Sequence, residues 1–206
     1  MSEEIVVQTN RSVENDEQSQ QIASTSKSSS LVSEIQTKHP LQNTWELWYY
    51  KNISLNFEQN LFKITSVDTV EDFWGLFNNI EFANKLSQNC GYYFFKKGIR
   101  PMWEDNANRN GGRWFFNLKK TNLTDEYWLE VLLCLIGEGF GDYNDSICGA
   151  FVLIKKNQNR IGIWTKDANH RDANMHIGNV FKQRTSYFGM INFEPHDNTK
   201  EVSYQV

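Results

Sequence analysis

Between Met1 and Lys38 the chain carries no aromatic residue, no Gly and no Pro, whereas all seven Trp (Trp45, Trp48, Trp74, Trp103, Trp114, Trp128 and Trp164) come later. Ser, Gln, Glu and Thr dominate the first stretch, in runs such as Glu17–Gln21 and Ser24–Ser30. A segment so poor in large apolar side chains cannot bury enough surface to offset the entropy of ordering it. The sequence therefore predicts a disordered polar tail over residues 1–38 and a single folded domain over residues 39–206, a length that suits one sizeable core.

Charge narrows the class of partner. The tail holds six acidic and three basic residues, so of the chain's 21 basic and 25 acidic residues the domain keeps 18 and 19 and is close to neutral. No global positive field advertises long nucleic acid as the ligand, and any contact with RNA must be local. Cys90, Cys134 and Cys148 share no CxxC spacing. Neither a zinc ribbon nor, with an odd count, a disulfide framework is suggested, so a reducing compartment is expected: the cytoplasm, with the nucleus as a second location. Met1–Asn10 is acidic and polar rather than basic then apolar, and no stretch approaches the roughly 20 apolar residues of a membrane span. No membrane partner is expected.

Short aromatic and β-branched runs predict strands over Trp45–Lys51, Leu61–Val67, Tyr92–Lys96, Arg113–Lys119, Gly149–Lys155, Arg160–Thr165 and Met190–Phe193. Three helical patterns lie between them: Val70–Ile80 with Asp68 as N-cap and Glu71 three residues on, Asp125–Gly137, and Arg171–Gln183. Phe151–Trp164 reads as a hairpin turning at Lys156–Asn159. Strands that mostly follow one another through hairpins, with three helices interleaved, favour an α+β fold in which helices cover one face of an antiparallel sheet. The other face is then available to a ligand.

Enzyme signatures are missing. There is no phosphate-binding GxxxxGK[ST], no GxSxG, no HExxH and no GxGxxG, and Gly111-Gly112 before Arg113 reads as a loop entering a strand. His39, His170, His176 and His196 lack ligand spacing, and the adjacent Glu104 and Asp105 would point apart in a strand. Neither a metal, nor a cofactor, nor acid–base catalysis is expected.

Trp103, in the loop-like stretch Pro101-Met102-Trp103-Glu104-Asp105, either plugs the core or offers its face to a flat ligand, and composition alone favours the plug. A methylated, cationic guanine is a ligand that rewards such a ring, because charge on the base strengthens stacking. Glu104 beside it could accept the guanine N1–H and N2–H. Arg113, Lys155 and Arg160 fall at strand ends or hairpin arms from which they could reach phosphates, although each taken alone reads more readily as a solvated strand-end charge.

The succession His39-Pro40-Leu41-Gln42-Asn43, Trp45 and Trp48, Val70-Glu71-Asp72-Phe73-Trp74, the Trp103 loop, Gly111-Gly112-Arg113-Trp114, Trp128-Leu129-Glu130, Leu132–Glu138 and Ile161–Trp164 closely resembles the eukaryotic translation initiation factor 4E family. The match runs in order through essentially all of residues 39–206. The resemblance implies a curved antiparallel sheet with three helices on its convex face and a pocket for the 7-methylguanosine cap of mRNA on its concave face. Carried over by position, Phe57 and Trp103 would sandwich the base, Glu104 would read it, and Trp164 would lie near the methyl group. Arg113, Lys155, Arg160 and Lys200 would hold the phosphates.

The same resemblance implies a second site on the convex face. There a scaffold of the factor 4G type and competing 4E-binding repressors would dock a helix against His39, Pro40, Val70 and Trp74, and against Leu129, Glu130 and Leu133. The implied role is that of a monomeric, non-enzymatic adaptor that binds capped mRNA and recruits the scaffold to start cap-dependent translation. The alternative is a cap-binding repressor that competes for caps without recruitment. Three departures stand out: Phe57 occupies a position where the main family branch has Trp, Asn157 one where many members have Lys, and the loop after His196 is short.

Overall fold

The computed structural model describes residues 37–119, 123–197 and 203–206, so the expected tail lies outside the described residues except for Thr37 and Lys38. The described chain runs β1 (Pro40–Lys51), β2 (Leu61–Thr69), α1 (Val70–Phe77), β3 (Cys90–Lys96), β4 (Gly112–Lys119), α2 (Leu123–Ile136), β5 (Ile147–Ile154), β6 (Gln158–Thr165), α3 (Arg171–Thr185), β7 (Asn192–Pro195) and β8 (Tyr204–Gln205). Its strands form one curved sheet in the order β2-β1-β3-β5-β6-β4-β7-β8 with every pairing antiparallel, so the α+β expectation holds.

Side-chain alternation divides the sheet into two chemical faces. On β3, Tyr92 and Phe94 join Trp45 and Leu47 in a core shared with Phe73 of α1, Trp128, Val131 and Leu132 of α2, and Ile177 and Phe181 of α3. Trp45 and Phe94 stack there with centroids 5.2 Å apart and planes 8° from parallel. Tyr93 and Phe95 point the other way, into a smaller cluster with Phe115, Phe151 and Trp164, against which Trp48, Tyr50 and Phe57 pack. All three helices thus pack into one face, and the opposite face is lined with aromatic rings.

Element boundaries depart from expectation where polar residues serve tertiary contacts. The cap of α1 is Thr69, not Asp68: its Oγ1 accepts from the Asp72 N–H at 3.1 Å, and the helix ends at Phe77 instead of Ile80. β1 begins at Pro40, five residues before Trp45, because Pro40 pairs opposite Thr69 across a register shift. Asn159, expected in the hairpin turn, lies inside β6 opposite Ile154; it is buried, and its Nδ2 donates to Thr124 Oγ1 at 2.9 Å. β8 gave no strand signal in the sequence, being two residues that pair with Asn192 and Phe193.

Candidate functional site

Cross-strand register assembles a row of side chains on the aromatic face. Phe95 lies opposite Gly149, Gly149 opposite Trp164, Trp164 opposite Arg113, and Arg113 opposite Glu194, so residues from β3, β5, β6, β4 and β7 line up across the sheet. Gly149 is required in this row, because a Cβ there would come within 2.4 Å of the Phe95 ring. The space it leaves lets Phe95 meet Trp164 edge-on, with centroids 5.4 Å apart.

Two loops rise beside the row and enclose a cavity of about 510 Å³. Phe57, Tyr93, Trp103, Glu104, Arg113 and Trp164 line it, together with Leu55, Met102, Glu194 and His196. Phe57 stacks on Tyr50 at 5.3 Å, and its loop is organised by the buried Asn60, whose Oδ1 accepts from the N–H groups of Ile53 and Ser54 at 3.0 and 2.8 Å. Trp103 is 55% exposed. Of the two readings for this ring, core plug is ruled out: it stands at the cavity wall on a loop fixed from beneath.

That support comes from two polar side chains, one buried and one partly exposed. Asn108 is fully buried and donates through Nδ2 to the carbonyls of Arg100 and Met102, each at 2.8 Å. Asp105 accepts from the N–H groups of Arg100 and Ala107 at 3.0 and 2.9 Å. The adjacent carboxylates therefore differ in role: Asp105 ties down the loop, and Glu104 faces the cavity. Between the two loops, Arg100 Nη2 donates to Glu58 Oε1 at 2.6 Å and joins the Trp103 wall to the Phe57 wall.

The expected cations divide. Arg113 lines the cavity and donates through Nε and Nη2 to Glu194 Oε1, the first contact at 2.7 Å. Arg160 lies outside the wall, its guanidinium 4.3 Å over the Phe115 ring and its Nε 2.9 Å from Asn117 Oδ1. Lys155 is held below its ordinary pKa first by burial, then by Arg160 and Arg113, with Glu194 acting in the opposite sense. Arg160 is lowered by burial and by Arg113, again opposed by Glu194. These mutual effects place the three cations in one electrostatic group. Lys200 lies outside the described residues.

Sequence reasoning missed Glu194 and His196. Counting alternation back from the buried Phe193 would have put Glu194 on the Arg113 face, but only a known β4–β7 register makes that inference possible. His196 has no ligand spacing in the sequence, yet it lines the cavity. It packs on Trp164 with centroids 4.0 Å apart, its Nε2 is buried without a hydrogen-bond partner among the described residues, and burial aided by Arg113 pushes its pKa down to about 3. The wall beside Trp164 thus carries a neutral, buried imidazole.

The second expected site lies on helix-bearing elements. Val70 and Trp74 are one turn apart on α1, and Trp74 is 37% exposed with its ring edge-on to Phe73 and Phe77. Leu129 and Leu133 are one turn apart on α2, half-buried against the core, and Glu130 between them is exposed. Pro40 is exposed and lies opposite the cap residue of α1. His39 is exposed. An exposed Trp on one helix and half-buried Leu residues on another, both helices packed on one core, are the residue types a helix-docking surface uses.

Among known families, the sequence matches that described as Eukaryotic initiation factor 4E over residues 40–205. It is 48% identical over 168 residues to the eukaryotic translation initiation factor 4E of Aplysia californica, covering 79% of this chain and 78% of that protein. Over 151 residues it is 50% identical to the human protein of the same name, 71% of this chain and 70% of that one. In structure it resembles Caenorhabditis elegans eIF4E-3 in complex with the 4E-binding protein Mextli and a cap analog, at a TM-score of 0.77, 42% identity, and 82% and 100% coverage of the two chains. It also resembles Ascaris suum eIF4E-3 with an m2,2,7G cap, at a TM-score of 0.76, 40% identity, and 81% and 96% coverage.

Proposed function

The chain belongs to the eukaryotic initiation factor 4E family, and from that premise we propose that its cavity takes the 7-methylguanosine cap of mRNA while its helical face recruits an initiation scaffold. It is an adaptor and not an enzyme. The observation that carries this reading is the cavity between Phe57 and Trp103, with Glu104 on its wall and Arg113 at its base.

The chemistry follows from those residues. N7 methylation makes guanine cationic, and a cationic ring between two aromatic faces gains from both stacking and cation–π attraction, about 1–3 kcal/mol per base. Glu104 accepts the N1–H and N2–H of the base in charge-assisted hydrogen bonds, which excludes bases lacking that donor pair. Trp164, beside the neutral His196, offers an apolar wall to the methyl group. Arg113 receives the first phosphates, and Arg160 and Lys155 extend the positive field along the chain. Phe57 supplies less surface and a less electron-rich face than Trp, so this wall holds the base more weakly than Trp103 does.

Scaffold binding uses the opposite side of the sheet. A partner helix would seat its apolar anchors against Val70, Trp74, Leu129 and Leu133, with Pro40 and His39 at the margin and Glu130 answering a basic residue. The relative solved with Mextli is a complex with a 4E-binding protein, and the same reading gives this chain 4E-binding repressors as competitors of the scaffold. The work of such an adaptor lies in the cytoplasm, with a nuclear pool as a further expectation.

The test is a titration of intrinsic Trp fluorescence with 7-methyl-GTP, unmethylated GTP as control and trimethylated cap as competitor. The methylated nucleotide should quench at concentrations at least an order of magnitude below GTP, about 1.4 kcal/mol of discrimination. Equal quenching by both nucleotides would refute cap recognition.

A further inference from the structure

The geometry points to Glu194 as the residue that sets how strongly the site responds to the phosphate chain of its ligand, acting as a built-in competitor for the Arg113 guanidinium. This inference rests on the cap reading above and adds to it a specificity-determining carboxylate.

Three observations support it. Arg113 and Glu194 sit directly opposite each other on β4 and β7, and Arg113 turns both Nε and Nη2 onto a single oxygen, Glu194 Oε1. A phosphate approaching that edge of the guanidinium must displace the carboxylate or share with it. Both residues line the same cavity as Trp103 and Glu104, so the competition takes place inside the binding site. Glu194 also acts on Lys155 and Arg160, favouring the charged form of each, so its negative charge falls on the whole cation group and not on Arg113 alone.

The fold holds this arrangement in place. Gly112, the residue before Arg113, packs so tightly on β7 that a Cβ would come within 2.7 Å of the Glu194 carbonyl oxygen, which fixes the two strands at close range. Pro195 faces Gly112 in the same pairing. Glu194 therefore remains beside the phosphates whether or not its ion pair is broken. Each added phosphate meets attraction from the three cations and repulsion from one fixed carboxylate, and the gain in affinity per phosphate is blunted. Phe57 and Trp103, the rings proposed to hold the base, stand on the loops and not in this row of charges, so the effect of the carboxylate should grow with each phosphate added.

The experiment measures dissociation constants of the full chain and of Glu194→Gln for 7-methylguanosine and its mono-, di- and triphosphates. Gln keeps an acceptor for Arg113 and removes the charge. The expected result is a steeper dependence on phosphate number, with the triphosphate bound roughly tenfold more tightly and the nucleoside changed by less than about twofold. Glu194→Ala should steepen the series in the same direction, and thermal melts of both variants check the fold. An unchanged series, or weaker triphosphate binding in the Gln variant, would overturn the inference and leave Glu194 as an orienting partner of Arg113. A wild-type chain that bound 7-methyl-GTP no better than GTP would overturn the cap reading and this inference with it.

Discussion

Phe94 and Phe95 are neighbours on β3, both essentially inaccessible, yet they belong to different chemistries. Phe94 faces the helices, stacked on Trp45 and edge-on to Phe73, in a core where every neighbour is part of the fold. Phe95 faces the cavity side and props Trp164, whose neighbours Tyr93 and His196 also line the cavity. One face of the sheet spends its aromatic rings on stability, and the other uses them to shape a site. Rings buried to the same extent can therefore fail in different ways when removed.

The largest expected effect lies on the helix side. Phe94→Ala opens a cavity in the helix-side core beside Trp45 and Phe73 and should cost about 3–5 kcal/mol in stability. Denaturant unfolding measures it, and a loss under about 1 kcal/mol would mean that the helical layer can collapse to fill the gap. Trp103→Ala should do the reverse. It leaves the melting transition in place, because the ring is half exposed, and weakens 7-methyl-GTP by about 1–3 kcal/mol. Trp74→Ala should spare both stability and cap binding while weakening a scaffold peptide by about 2 kcal/mol, as an anchoring Trp does. Loss of cap affinity in that variant at unchanged melting temperature would break the separation of the two faces.

Acid should expose the same division. His196 titrates near 3 in the folded chain against 6.5 for a free imidazole. Between those values the unfolded chain binds the proton and the folded chain does not. The contribution of this group to stability is therefore complete above about pH 6.5 and declines as the pH falls toward 3, by a few kcal/mol on the order-of-magnitude scale of such shifts. His196→Gln should flatten the stability profile over that window, measured by unfolding from pH 7 to pH 4. An unchanged slope would show that other groups carry the acid response.

Much of this arrangement was legible from the chain alone. Short aromatic and β-branched runs mark seven of the eight described strands, helical patterns mark the three described α-helices, and Trp103 next to Glu104 stands out because a Trp in a polar loop has no local reason to be there. The cap at Thr69 was misplaced by one residue because Asp68 is an equally good capping side chain and only packing chooses between them. Glu194, His196, Asn60 and Asn108 were not legible for a common reason. Their roles depend on partners brought together by strand register or loop closure, and a buried Asn has the same sequence signature as an exposed one.

The smallest effect concerns the link between the walls. Arg100 and Glu58 are each about half exposed, at 46% and 52%, so their ion pair is screened by solvent and contributes little to global stability. Its value lies in position, since it connects two loops otherwise held separately by Asn60 and by Asn108 with Asp105. A pair that pre-sets the gap between Phe57 and Trp103 reduces the ordering that a ligand must impose, and should add about 0.2–1 kcal/mol to cap affinity at low salt. A double-mutant cycle with Glu58→Gln and Arg100→Gln, read by 7-methyl-GTP titration, isolates that coupling from the effect of each charge alone. The coupling should fall as salt is raised toward 1 M, where the screening length shrinks to about 3 Å. It should also reappear in the swapped pair Glu58→Arg with Arg100→Glu. Coupling that appeared in the melting temperature and not in the titration would mean that the bridge steadies the loops without pre-setting the site, and the walls would then act independently.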